Sequence, residues 1–216
     1  MKVALFGVGG RVGSVLAPAL DAAGHDVVDG RSVGPDGCDA AVDFTTPDTV
    51  VANVERCLSA GVPVVIGTTG FDADALDARA KEAGVPCFHA SNFSQGAVLM
   101  MRFAEEAAKA FPRAEIIELH NEAKRDQPSG TAKATAARMG TNPEIHSVRL
   151  PGLVANQEVI FGGPGETLTI RHDTTSREAF VPGVLVALER VRDLPAGLTV
   201  GVDAILPDVS DAGRDE

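Results

Sequence analysis

The stretch HNEAKRDQPSGTA, residues 120–132, gathers side chains able to move a proton and hold an anion. His120 closes the apolar run AEIIEL, Lys124 follows, and Pro128 ends that segment just before Ser129-Gly130-Thr131 opens a helix. The unpaired N–H groups in the first turn of a helix carry a partial positive charge that suits a carboxylate. Gly130, Thr131 and Ala132 would supply them, with the Thr131 hydroxyl as a further donor and Ser129 beside them. Lys124 would pair with the same anion and supply a proton, and His120 would hydrogen-bond the ligand or transfer a proton. Residue types alone leave a second reading open. In it Ser129 caps a surface helix, Lys124 is solvated and His120 is a satisfied strand-end histidine.

A second constellation lies at the start of the chain. FGVGGRVG follows an apolar run and opens a helix, with Gly7, Gly10 and Gly13 regularly spaced, Gly9 added, and Val8, Arg11 and Val12 between them. In a dinucleotide-binding fold such glycines tighten the turn and let the backbone approach a pyrophosphate at the helix N-terminus. Val12 breaks the strict G-x-G-x-x-G pattern, so a simple tight turn is the bland alternative. Asp29, at the end of the second strand, would meet the ribose hydroxyls, and Arg31 would hold a 2′-phosphate. Use of both NADH and NADPH, with some preference for NADH, is therefore expected. GTTG (Gly67, Thr68, Thr69) and ASNF (Ser91, Asn92, Phe93) fall just past strand ends, the rim where open α/β sheets bind ligands, and suit a nicotinamide.

The elements that must carry these residues follow two patterns. Up to Asn92, strand-like runs (KVALF, DVVDG, AAVDFT, VPVVIGTT, VPCFHA) alternate with helices, which implies a parallel sheet with crossovers. DVVDG reads as a buried strand like its neighbours. Helix RVGSVLAPALDAAG contains Pro18, which predicts a kink or a late restart. The next helix carries Thr46 as cap, Pro47 at its first position and Gly61 past its end. After Asn92 come a long helix (96–111), the strand AEIIELH, the short helix TAKATAARM, and strands SVRL, QEVIFGG and ETLTIRH turned by Gly162-Gly163-Pro164-Gly165. That half reads as α+β with an open, mostly antiparallel sheet whose edges invite a subunit interface. A helix (180–191) and a strand (198–206) could rejoin the first sheet, and DVSDAGRDE reads as an acidic tail.

Composition removes several functions. The net charge of −11 argues against a nucleic-acid or anionic-membrane binder. With no Tyr and no Trp, no tyrosine acid can act, which leaves His, Lys, Asp, Glu and Cys as donors. Cys38, Cys57 and Cys87 are odd in number and far apart, so neither disulfides nor a zinc site is expected, and no metal. No apolar run reaches the roughly 18 residues of a membrane span, and the start lacks a secretory pattern, so a cytoplasmic protein is expected.

ELHNEAKRDQPSGTA resembles the signature of the dihydrodipicolinate reductases (4-hydroxy-tetrahydrodipicolinate reductases) of lysine and diaminopimelate synthesis. FGVGGRVG, VDFTTPD, VIGTTGF, ASNFSQGAVLM and LPGLVANQEVIFGGPGETLTIRHDTTSREAFVPGV resemble the same family in the same order, from about residue 2 to 206. The resemblance implies an α/β fold: a Rossmann-like parallel-sheet domain (1–92 and 178–216) and an α+β substrate-binding and tetramerisation domain (93–177) with an open mixed sheet. It implies NADH- and/or NADPH-dependent reduction of a cyclic dicarboxylate, without a metal, by a homotetramer. By the same resemblance His120 and Lys124 carry the acid role, Gly130 and Thr131 hold a carboxylate, and Arg177 lies near the cofactor. Asn121 stands where the family usually has a second histidine; it can donate a hydrogen bond to substrate but cannot be cationic. The chain is also short at 30–39 and 139–145. Two rival readings remain, a Rossmann dehydrogenase of another small carboxylate and a dinucleotide sensor without chemistry.

Overall fold

The computed structural model describes residues 1–201, so the expected end of the last strand and the acidic tail lie outside the described residues. The chain forms two compact units, Met1–Phe93 with the chain from Phe180 onward, and Ser94–Ala179. The first opens with β1 (Lys2–Phe6), α1 (Gly13–Ala22), β2 (Asp26–Asp29), β3 (Ala40–Asp43), α2 (Pro47–Ala60), β4 (Val64–Ile66), α3 (Ala73–Ala83) and β5 (Pro86–His89). The second holds α4 (Gln95–Ala108), β6 (Arg113–His120), α5 (Gly130–Met139), β7 (Glu144–Arg149), β8 (Ala155–Gly163) and β9 (Glu166–Thr174). The chain then returns to the first unit as α6 (Val181–Arg190) and β10 (Gly197–Val200).

The first sheet runs β10-β5-β4-β3-β1-β2, all parallel. β3 and β4 are buried at every residue, as central parallel strands require. β2 departs from the expected buried strand: it is the sheet edge, with Asp26 exposed and the rest half-buried. α1 runs from Gly13 through Pro18 to Ala22 as one helix, without the expected restart at the proline. α2 shows the expected grammar, a Thr46–Thr49 capping box, Pro47 in the first turn and Gly61 left-handed at φ 67°.

No helix joins β2 to β3, although β1 lies between them. Residues 30–39 cross alone, held by Gly30 N donating to Leu5 O (3.0 Å) and Asp39 N to Lys2 O (2.8 Å). Gly30 is needed there because a Cβ would fall 2.9 Å from the Phe6 ring.

The second sheet runs β7-β6-β8-β9; β6 and β7 are parallel and the other pairs antiparallel. Ile116, Val159 and Phe161 point to one face and bury against Ala104 of α4 and Ala132 and Met139 of α5. By strand alternation Ile117, Leu119, Val148 and Ile160 point to the other face. The β8–β9 hairpin turns on Pro164-Gly165, with Gly165 at φ 84°, the residues and conformation of a type II turn. α5 ends on left-handed Gly140, and four residues later β7 begins.

Candidate functional site

In the first unit the glycine turn is built by close approach. Gly7 has φ +90°, and a Cβ there would lie 2.3 Å from Phe44 O; one on Gly13 would lie 2.0 Å from Gly7 O. Gly10 N donates to Gly7 O at 2.8 Å and closes the turn. Gly9 differs, since a Cβ there would meet nothing within 4 Å. Its side faces open space, together with exposed Arg11. Val12 caps α1 without a side-chain hydrogen bond, and the first turn holds no acid, so the dipole end of α1 keeps its affinity for an anion. This cradle fits a pyrophosphate.

Asp29 ends β2 as expected, but its carboxylate also organises the loop. Oδ1 accepts from Arg31 N at 3.0 Å and Oδ2 from Ser32 Oγ at 2.6 Å. Those bonds, Ser32's foremost, hold its carboxyl below the usual range, so it stays an anionic acceptor. Arg31 is exposed.

The rim depends on a residue that sequence reasoning passed over. Asp43, fully buried at the end of β3, accepts from Thr45 Oγ1 (2.7 Å), Thr68 Oγ1 (2.7 Å) and Thr45 N (3.1 Å) on Oδ1, and from Asn53 Nδ2 (2.8 Å) on Oδ2. Thr68 is therefore a buried strut, with its hydroxyl committed to Asp43. Gly67 admits the Phe44 ring, which a Cβ would meet at 2.1 Å. Phe93 is core, 1% exposed, with ring centroids 5.5 Å from Phe44 and 6.0 Å from Phe88. Thr69 and Ser91 are exposed and Asn92 half-buried. The side chains offered at this rim are therefore fewer than the motifs suggested.

In the second unit the opening stretch runs from the end of β6 into α5. Ser129 is buried and caps α5, its Oγ accepting from Ala132 N at 3.2 Å. Ser129 thus caps the helix, one of the two roles its sequence position allowed, and the Ala132 N–H is engaged by that cap. Gly130 and Thr131 form the first turn of the helix, both half-buried. α5 is tied to the sheet by Gln157 Nε2, which donates to Thr135 Oγ1 at 2.7 Å, while that hydroxyl donates to Thr131 O at 2.9 Å.

Asn121 builds the turn after β6. Its Oδ1 accepts from Ala123 N at 3.1 Å, and its carbonyl accepts from Lys124 N at 3.0 Å. Lys124 Nζ lies 2.8 Å from Asp126 Oδ1. Burial raises the Asp126 carboxyl, but Lys124, a backbone hydrogen bond and Arg149 together outweigh it and the net shift is downward.

His120 Nδ1 lies 2.5 Å from Oε2 of Glu118, a carboxylate with no exposure at all. Arg149 holds Glu118 with both terminal nitrogens, at 2.9 and 2.7 Å, and Ser147 Oγ adds a fourth donor. Burial pushes Glu118 up, yet these donors outweigh it and hold the carboxyl below its ordinary value. His120 is pushed down, first by burial, against the pull of Glu118 and with help from Lys124 and Arg149. Burial therefore favours the neutral form of the ring. Glu118 and Arg149 were not foreseen; the available signal was that Glu118 shares the parity of Ile116, on the covered face.

Arg177 is half-buried in a one-turn helix, Arg177–Phe180. A groove lined by Arg113, Glu115, Glu144 and Pro164 lies at the opposite end of the sheet from His120 and contains none of these residues.

Sheet order, glycine cradle and rim place the first unit among Rossmann-type nucleotide-binding oxidoreductases, here joined to a mixed-sheet unit that carries an imidazole and an ammonium. The profile of the dihydrodipicolinate reductase N-terminal region matches residues 29–93 and that of its C-terminal region 96–206. The chain belongs to the dihydrodipicolinate reductase family. It is 43% identical over 243 positions to the 4-hydroxy-tetrahydrodipicolinate reductase of Cutibacterium acnes, covering 95% of this chain and 98% of the relative. It is 47% identical over 194 positions to that of Moorella thermoacetica, covering 76% and 72%. The dipicolinate-bound dihydrodipicolinate reductase of Paenisporosarcina sp. TG-14 superposes with TM-score 0.77 at 32% identity, over 95% of this chain and 99% of that one. An amine dehydrogenase of Mycobacterium smegmatis, at 15% identity and TM-score 0.66 over 96% of each chain, shares the fold.

Proposed function

We propose that this chain reduces 4-hydroxy-tetrahydrodipicolinate to tetrahydrodipicolinate with NADH or NADPH, releasing water. The observation that carries the reading is the joining of Lys124, His120 and the α5 N-terminus in one short segment, held by the Glu118–Arg149 pair. In this reading a substrate carboxylate sits on the N–H groups of Gly130 and Thr131, Asn121 donates to it through its amide, and Ser129 keeps the helix end in place. Lys124 turns from Asp126 to the substrate, balances its charge and gives the proton that completes the addition. Neutral His120 accepts or relays a hydrogen bond to the reacting ring.

Gly7, Val8, Gly9, Gly10, Arg11 and Val12 would hold the pyrophosphate of the nucleotide, and Asp29 and Arg31 its ribose. Gly67, Thr69, Ser91 and Asn92 would frame its nicotinamide end, with buried Thr68 and Phe93 as supports of that rim. When bound it supplies the hydride. The anionic, ordered carboxylate of Asp29 supports some preference for NADH. The first unit is thus the nucleotide domain and the second the substrate domain. The open sheet face pairs copies into a homotetramer, and the three free cysteines suit the cytoplasm. No helix among the described residues is long and apolar enough to cross a membrane.

The test couples a dihydrodipicolinate synthase to the purified chain and follows oxidation of each nucleotide. Oxidation that requires both synthase substrates is expected, at a higher kcat/KM with NADH. Nucleotide binding without oxidation would instead favour a sensor. A rate with NADPH more than tenfold above that with NADH would overturn the reading of Asp29.

A further inference from the structure

Buried carboxylates are uncommon because the charge must be fully compensated, and apolar residues of similar size often stabilise as well. Glu118 is nevertheless placed in the covered face of the second sheet, one step along β6 from fully apolar Ile116, with no exposure. Strand register explains how it is compensated. β6 and β7 run parallel, pairing Glu118 with Ser147 and His120 with Arg149, so all four side chains project from the same face. Every donor is then within reach: Arg149 at 2.7 and 2.9 Å, Ser147 Oγ at 2.5 Å and His120 Nδ1 at 2.5 Å.

Arg149 reaches further than this pair. Its Nε donates to the carbonyl of Lys124 at 3.3 Å, and a terminal nitrogen donates to the carbonyl of Asp126 at 2.8 Å. One guanidinium thus touches the carboxylate that holds the imidazole and the backbone that carries the ammonium.

We propose that Glu118 is a positioning residue of the reductase site: it keeps the proton of neutral His120 on Nδ1, leaves Nε2 to the substrate, and through Arg149 fixes that ring relative to the Lys124 loop. The inference rests on the proposed function for its chemistry and on the Glu118 contacts for its geometry. The charged groups facing His120 are Glu118 on its own strand, Arg149 on β7, and Lys124 on the loop. Two cations and burial disfavour the imidazolium, and Glu118 alone opposes them. The neutral ring has two tautomers, and an anionic acceptor at Nδ1 selects one. Lys124 is then the source of the proton, and His120 presents a lone pair of fixed direction.

Two measurements test this. The first uses the unaltered protein, with imidazole nitrogen NMR and His120 assigned by its loss in His120→Asn. A neutral ring protonated on Nδ1 is expected, and a ring protonated on Nε2 overturns the proposal. The second is a double-mutant cycle in the coupled assay. Glu118→Gln should lower kcat roughly tenfold to a hundredfold, the range for a group that orients a catalytic histidine, with KM changed less than about threefold. In the His120→Asn background the same substitution should cost less than about twofold. Equal losses in both backgrounds would show a merely structural role and overturn the proposal. Should the unaltered protein not oxidise either nucleotide, the reductase reading fails, while the NMR result still decides the Glu118–His120 pairing.

Discussion

At the scale of single residues, the segment proposed to act divides into groups free to change partner and groups fixed in place. Lys124 has an exposed carboxylate partner it can leave, whereas Glu118 has four donors and no exposure. The pH dependence of stability follows from these differences. Glu118 is depressed below the ordinary 4.5 and His120 below 6.5, so the unfolded chain binds more protons than the folded one below those values. Their contribution is complete above the unfolded pKa values and is lost as pH falls through the folded ones. Denaturant midpoints measured from neutral pH to about pH 4 should therefore decline for the unaltered protein. Glu118→Gln should start from a lower midpoint, since it leaves Arg149 without its anion, and should decline less steeply only below about pH 4.5, where Glu118 itself would titrate. An identical slope in the two proteins would remove Glu118 from the account.

At the scale of elements, helix ends and strand register differ in how visible they are from sequence. The start of α5 was legible because proline, serine and glycine report directly on local backbone, and Ser129 does cap the helix. Gly7 and Gly13 were legible for the same reason. Arg149 was not, because its bond to Glu118 spans 31 positions and depends on parallel pairing of β6 with β7, which no local pattern specifies. The buried roles of Thr68 and Phe93 were hidden likewise, since a rim motif does not say which side chains turn inward. The edge position of β2 depends on sheet order, which its apolar composition does not reveal. Two glycines separate fold from binding. Gly7→Ala forces a Cβ to 2.3 Å from Phe44 O at φ +90° and should cost more than about 2 kcal/mol in thermal or denaturant unfolding. Gly9→Ala meets nothing, so stability should change by less than about 0.5 kcal/mol while NADH affinity falls at least severalfold, read by fluorescence titration. Unchanged affinity in Gly9→Ala would place the pyrophosphate elsewhere.

At the scale of the whole molecule, a nucleotide-type parallel sheet and an open mixed sheet occur in one chain of a reductase family. The division into a parallel-sheet unit and a mixed-sheet unit was readable in the change of pattern after Asn92. That no helix links β2 to β3 depends on the fold and was not legible in residues 30–39 themselves. The face bearing Ile117, Leu119, Val148 and Ile160 has no helix of its own unit over it, and in the proposed assembly it is covered by other copies. Ile160→Glu should then shift the mass measured by sedimentation from tetramer toward smaller species, with monomeric mass in the unaltered protein as the contrary result. The central claim is that Lys124 completes the reduction by giving a proton. Lys124→Ala tests it cleanly, because Arg149 holds the carbonyl of residue 124 and not its side chain. In the coupled assay that variant should bind NADH as the unaltered protein does and lose at least about a hundredfold in kcat/KM. Undiminished oxidation by Lys124→Ala would contradict the account.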